Sequence, residues 1–104
     1  MPQKMTSMSE TAYYILLSLL EERHGYGIMQ HVAEITEERI HLGAGTIYGT
    51  LGKLEKAGLI EATGEFEKRK YYHITESGMD ALKREVERLK ELYENGMGVL
   101  SDGK

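Results

Sequence analysis

Ala12, Ile15, Leu16, Leu19 and Leu20 recur at the three- and four-residue spacing that lines one face of an α-helix. Ser7 stands three residues before Glu10, the spacing of a reciprocal N-terminal cap. The pattern predicts a helix from about Ser9 to Glu22, behind a loose tail at residues 1–6. His24-Gly25-Tyr26-Gly27 breaks it, with His24 expected to cap its end. Ile28, Val32 and Ile35 then mark the buried stripe of a second helix, from about Tyr26 to Glu38. Arg39 to Gly43 reads as a short connection with an extended piece at Ile40-His41-Leu42. Ile47, Leu51 and Leu54 repeat the stripe in a third helix between Gly43 and Gly58, where Gly58 suits the left-handed residue that follows a helix end.

The period then changes. Leu59-Ile60-Glu61-Ala62-Thr63 and Lys70-Tyr71-Tyr72-His73-Ile74-Thr75 read as two short strands, with Gly64 through Arg69 as their turn. Thr75 is placed to cap a last helix, whose first turn carries Glu76 and Asp80 at its positive end. Met79, Leu82, Val86, Leu89 and Tyr93 alternate in steps of three and four, a heptad seam. The helix is expected to fail at Asn95-Gly96, with residues after Gly98 frayed.

Helix, helix, helix, hairpin, long helix is the plan of a winged helix-turn-helix. The fold class is mainly α (α+β): three helices, a two-stranded wing and a long C-terminal helix. The expected division is a winged-helix unit at residues 1–78 and a dimerisation helix with its tail at 79–104. In such a plan two helices hold the third at a fixed angle, so that its polar face can enter a major groove about 12 Å wide.

Composition narrows the function classes. The chain has 104 residues, one core's worth, and no cysteine, which removes disulfides and thiolate metal sites. His24, His31, His41 and His73 show no metal-ligand spacing, so no metal or cofactor is expected. No clustered acid–base constellation and no phosphate loop after a strand argues for an enzyme. The longest apolar run, Tyr13 to Leu20, is too short to span a bilayer, and the protein reads as cytoplasmic, with no membrane partner. The net charge of −4 weighs against a nucleic-acid partner, but it is unevenly spread. Arg39 to Thr75 holds six basic and four acidic side chains, leaving seven of the 13 basic and thirteen of the 17 acidic ones for the rest.

Several segments carry a family resemblance. Tyr14-Ile15-Leu16-Leu17-Ser18-Leu19-Leu20 and His24-Gly25-Tyr26-Gly27-Ile28 resemble the opening of the PadR family. Gly45-Thr46-Ile47-Tyr48, Leu51-Gly52-Lys53-Leu54-Glu55 and Gly58-Leu59-Ile60 resemble its third helix and first wing strand, and Arg69 through Gly78 its return strand and last helix start. The resemblance implies a dimeric transcription factor, usually a repressor, on an inverted-repeat operator in double-stranded DNA. In some members a small aromatic or drug-like inducer releases the DNA. The chain departs from the family pattern at Gly49, where Pro is frequent, at Gly43-Ala44, where Ser-Pro is common, and at an acidic wing tip, Glu65-Phe66-Glu67.

The candidate DNA-contacting residues are Gly45, Thr46, Tyr48, Gly49, Thr50 and Lys53 on the third helix, Tyr26 at the start of the second, and Lys68, Arg69 and Lys70 on the wing. Hydroxyls reach phosphates or base edges, glycines allow close backbone approach, and basic side chains release counterions. The plain alternative is a solvated helix face and a solvated charge run. The candidate dimer seam is Met79, Leu82, Val86, Leu89 and Tyr93, which would otherwise pack on its own domain or leave an exposed apolar patch. Tyr13, Tyr14, Tyr93 and Met97 are the candidates for an inducer pocket, at spacings equally suited to packing. The multidrug-sensing branch carries a Trp on the last helix. Lys90 lies in that region here, and the chain has no Trp. The competing function class is a winged-helix protein-interaction module without DNA binding, favoured by the net charge and the acidic tip.

Overall fold

The structure, a computed structural model, describes residues 8–102. Its elements run α1 (Glu10–Ser18), β1 (Arg23–His24), α2 (Gly25–Ile35), α3 (Ala44–Lys56), β2 (Ile60–Phe66), β3 (Arg69–Ile74) and α4 (Glu76–Ser101). The three strands form one antiparallel sheet in the order β1-β3-β2. This is the winged-helix plan that the sequence implies, with a third strand added.

The core follows the apolar stripes except at Leu20, just past the end of α1, and Ile35, the last residue of α2, which stay exposed, at 42% and 43%. Ile15, Leu16 and Leu19 from α1 and its cap, Ile28 and Val32 from α2, and Ile47, Leu51 and Leu54 from α3 are buried together. Ile60, Tyr72 and Ile74 close the core from the sheet, and Leu82 from α4. A two-stranded hairpin is marginal alone, and here the inward residues of β3 tie it to the helices. Gly78, in the first turn of α4, lies so close to the hairpin that an added Cβ would stand 2.0 Å from the Leu59 carbonyl oxygen.

The element ends differ from the sequence expectation for identifiable reasons. Ser7 lies outside the described residues, as does the tail at 1–6, and the residue that caps α1 is Ser9, whose hydroxyl accepts from the Ala12 N–H at 3.1 Å. Glu10 pairs instead with Arg39 at 2.8 Å. Helix α1 stops at Ser18 rather than Glu22 because its last carbonyls are taken elsewhere. Leu19 O accepts from the Ile74 N–H at 2.9 Å, and Ser18 O accepts from the Arg23 guanidinium. His24 caps the start of α2, not the end of α1. Helix α2 ends at Ile35, and Glu37 and Glu38 both take left-handed backbone, at φ 52 and 67. Residues Ile40 to Leu42 form no strand.

Helix α3 ends as the sequence predicts. Gly58 is left-handed at φ 79, its N–H bonds Glu55 O and the Leu59 N–H bonds Leu54 O, both at 3.0 Å, a paired closure of the final turn. Thr75 caps α4, accepting from the Gly78 N–H at 3.1 Å and donating to Gly58 O at 2.7 Å, so one side chain joins two helix ends.

The wing is longer and tighter than expected. The strands run past Gly64, which sits at a bulge in the β2–β3 register, and reverse over two residues, Glu67 and Lys68. Both are left-handed, at φ 52 and 65, as in a type I′ turn. The last helix does not fail at Asn95-Gly96 and continues to Ser101. Gly96 and Gly98 each cost about 1 kcal/mol, which propagation along a long helix absorbs. The expected division between residues 78 and 79 falls inside this continuous helix, whose early turns place Gly78 and Leu82 in the core.

Candidate nucleic-acid interface

Helix α3 turns Ile47, Leu51 and Leu54 inward and leaves Gly45, Thr46, Tyr48, Gly49 and Lys53 exposed, with Thr50 half-buried beside them. Its N-cap, Gly43, makes no side-chain hydrogen bond, the consequence of lacking Ser there. A Cβ added at Gly45, Gly49 or Gly52 would meet nothing within 4 Å, so the backbone on this side is open to close approach. Lys53 and Lys56 lie in the last turn, where cations also suit the negative helix end.

Tyr48 is 57% exposed and is not a core residue, but its phenol is not loose. It lies over Gly25, where an added Cβ would stand 2.6 Å from its hydroxyl oxygen. The absence of a side chain at Gly25 therefore sets where Tyr48 rests, beside the start of α2. Tyr26, 53% exposed, follows directly.

Strand β1 completes this corner. Its pairing with β3 sets Arg23 opposite Tyr72 and His24 opposite Tyr71. The His24 and Tyr71 rings meet edge to face at 5.0 Å. His24 Nδ1 accepts from the Gly27 N–H at 3.1 Å. The Arg69 guanidinium lies 3.1 Å from His24 Nε2 and 5.9 Å from the Tyr26 ring centre. Burial, and then Arg69, hold the His24 imidazole below its ordinary pKa. Of the wing candidates, Arg69 thus joins Tyr26 and Tyr48 at the α2–α3 corner. Lys68 sits in the turn, and Lys70 lies 5.6 Å from the buried Tyr72 ring. Strand alternation sends neighbouring residues to opposite faces, so the basic run does not act as one patch. His24 was not among the sequence candidates. Its signal was its place three residues before Gly27, one of cap geometry, and its approach to Arg69 depends on a two-residue strand that periodicity does not reveal.

The seam residues separate into two groups. Leu82 is buried in the protomer's own core and Met79 packs against that core. Leu82 is thus a correction to the expected seam: the early turns of α4 are held by their own domain. Val86, Leu89 and Tyr93 are exposed, at 42%, 37% and 67%. Leu92, Met97, Val99 and Leu100 extend the exposed apolar surface toward the helix end. Tyr13 and Tyr14 line a groove between α1 and α4 with Met8, Glu85, Arg88 and Leu89, while Tyr93 and Met97 lie outside it. Within the groove Arg88 donates to both Glu85 carboxylate oxygens, at 3.0 and 2.6 Å, and holds that carboxyl below the usual range. The inducer-pocket candidates are therefore not brought together within one chain. Among the described residues no group of His, Asp and Glu could hold a metal ion, and no helix is long and apolar enough to cross a membrane.

Four helices, a three-stranded sheet that ends in a wing, and an open, glycine-relieved third helix define a winged helix-turn-helix protein. The profile of the Transcriptional regulator PadR-like family matches residues 13–84, and the chain belongs to that family. An uncharacterized protein of Lysinibacillus sphaericus is 34% identical over 82 residues, 75% of either chain. The PadR-like transcriptional regulator of Bacillus cereus superposes with a TM-score of 0.70 at 26% identity, covering 86% of this chain and 89% of that one. A PadR family transcriptional regulator of Eggerthella lenta gives 0.65 at 30% identity, covering 89% and 82%. The family is one of transcriptional regulators, not enzymes.

Proposed function

We propose that this chain is a sequence-specific DNA-binding repressor that acts in the cytoplasm as a homodimer on an inverted-repeat operator. The observation that carries the reading is the outward face of α3. Thr46, Tyr48, Gly49 and Lys53 are exposed on a helix whose other face is locked into the core. Such a face is rigid, polar and free of bulk at its glycines, as a helix that enters a major groove must be. Lys53 on α3 and Arg69 beside Tyr26 supply positive charge to this side of a chain whose net charge is −4.

Dimerisation follows from α4. Val86, Leu89, Tyr93, Met97 and Leu100 lie on one side of a helix that extends well past the core. Exposed in a monomer they form a continuous apolar strip, and a second copy of α4 would bury it. Two chains related by a two-fold axis present two α3 helices to a palindromic duplex. A small aromatic inducer would have its pocket completed only in the dimer, where Tyr93 and Met97 of one chain approach Tyr13 and Tyr14 of the other.

The test uses a duplex selected from a random-sequence pool by the wild-type protein. Lys53→Glu is expected to abolish binding and leave the dimer intact, and Leu89→Arg to give monomers that bind weakly. Selection that enriches no sequence, or unchanged affinity of Lys53→Glu, overturns the reading.

A further inference from the structure

One imidazole at the α2–α3 corner is asked to do two incompatible things. His24 Nδ1 accepts the Gly27 N–H, so the neutral ring must carry its proton on Nε2. The Arg69 guanidinium, 3.1 Å from that same Nε2, has only donors to offer. If the proton moves to Nδ1, Arg69 gains an acceptor and α2 loses its cap. If the ring takes a second proton, both contacts become donor against donor. Neutral His24 with its cap in place therefore points an N–H at a cation.

An anionic oxygen seated against both groups removes the conflict, because it accepts from each. We infer that His24 and Arg69 together clamp one phosphate of bound duplex DNA, through the Nε2–H of a neutral imidazole and a guanidinium N–H. The assignment rests on the DNA-binding reading above and adds to it a residue and a protonation state. The surroundings fit. Arg69 is exposed, and the Tyr26 ring at 5.9 Å keeps the guanidinium at the corner. Tyr71, edge-on at 5.0 Å, and the Gly27 bond fix the imidazole plane, so Nε2–H has one direction available. Burial and Arg69 favour the uncharged ring. His24 is thus a contact that adds a hydrogen bond but no charge, beside one that adds both.

That difference gives the test. Binding of the selected duplex is followed by fluorescence anisotropy across salt for wild type, His24→Asn and Arg69→Gln. Asn keeps an oxygen where Nδ1 stands and caps helices well, so the melting temperature of His24→Asn should hold while Nε2–H is lost. His24→Asn is expected to bind about a hundredfold more weakly, the effect of one hydrogen bond to a charged acceptor in each half-site, with an unchanged salt slope. Arg69→Gln is expected to bind more weakly with a slope smaller by about 1.8, one phosphate's worth in each half-site. A neutral methylphosphonate moved along the duplex should weaken wild type at one position in each half-site, and at that same position it should weaken each variant less than it weakens wild type. Wild-type affinity in His24→Asn, a reduced slope in that variant, or sensitivity that drops at different positions in the two variants overturns the clamp and leaves the DNA-binding reading standing. A wild-type protein that selects no duplex overturns both.

Discussion

The Tyr48 phenol lies over the α-carbon of Gly25, so that a methyl group there would stand 2.6 Å from its hydroxyl oxygen and 2.8 Å from the adjoining ring carbon. The contact joins the first residue of α2 to the exposed side of α3. It fixes a side chain that would otherwise sweep freely over the surface proposed to meet DNA. Gly25→Ala is expected to push the phenol aside at little cost to the fold, because the displaced group is the far end of an exposed side chain and Ala favours the helix. Stability should stay within about 1 kcal/mol of wild type, while affinity for the selected duplex falls about a hundredfold, as for one lost bond to phosphate in each half-site. Tyr48→Phe should match it in an anisotropy titration. Full affinity in both variants would remove Tyr48 from the interface.

Gly78 behaves differently, because its neighbour is backbone. A Cβ there would stand 2.0 Å from Leu59 O and 2.7 Å from Ile74 Cγ1. Neither can move without opening the junction of α3, the wing and α4. Gly78→Ala is expected to destabilise the protein by about 3 kcal/mol, the upper range for overpacking, despite the gain in helix propensity. Urea denaturation checks it, and a loss under about 1 kcal/mol would show that the junction is looser than described.

The wing turn places Glu67 and Lys68 in left-handed backbone, which costs a residue with a side chain about 1–2 kcal/mol. Asn and Gly adopt it readily. Glu67→Asn combined with Lys68→Gly should stabilise the protein by about 1 kcal/mol, part of the relief being offset by the greater freedom of Gly in the unfolded chain. Thermal unfolding measures it, and a destabilised double variant would contradict the type I′ geometry.

Stability should fall on acidification below about pH 6.5, the ordinary histidine range. Burial first, and then Arg23, hold His31 below its ordinary pKa, and burial and then Arg69 do the same for His24. In that window the unfolded chain takes up protons that the folded chain refuses, so stability rises with pH and is lost as pH falls. His31 Nδ1 lies 2.8 Å from the buried Ser18 hydroxyl, which itself donates to Tyr14 O, so the ring is part of the α1–α2 contact. His31→Asn should flatten the slope between pH 7 and 5 in denaturant titrations. A slope that survives this change and His24→Asn together would assign it to other groups. A further loss belongs below the carboxylate range, where Glu85 surrenders its bonds from Arg88.

How far the sequence carried the structure can be seen residue by residue. The stripes Ile15–Leu19, Ile28–Val32 and Ile47–Leu54 are buried as their spacing requires, and Gly58 and Thr75 end and start helices as their chemistry suggests. Those signals are local. The misses are tertiary. Strand β1 is two residues long and exists because β3 lies beside it. The wing turn lacks the Asn-Gly signal, so the expected turn spreads over Gly64 through Arg69, whereas Gly64 is a bulge residue and the reversal takes only Glu67 and Lys68. Leu82 shares a heptad with Leu89, yet one is sealed under the hairpin and the other is exposed. Spacing finds a face but not where along a helix the core ends. The candidate site was legible in the polar side of α3 and in the exposed Arg69. The approach of His24 to Arg69 was not, because it crosses from residue 24 to residue 69.

The central claim, that two α3 helices read one duplex, is tested most directly by dimethyl sulfate protection of guanine N7 in the major groove and adenine N3 in the minor groove of the selected duplex. Two protected major-groove patches are expected, their centres about one helical turn or a whole multiple apart. Both should vanish together with Lys53→Glu. A single patch, or protection confined to the minor groove, would contradict the account.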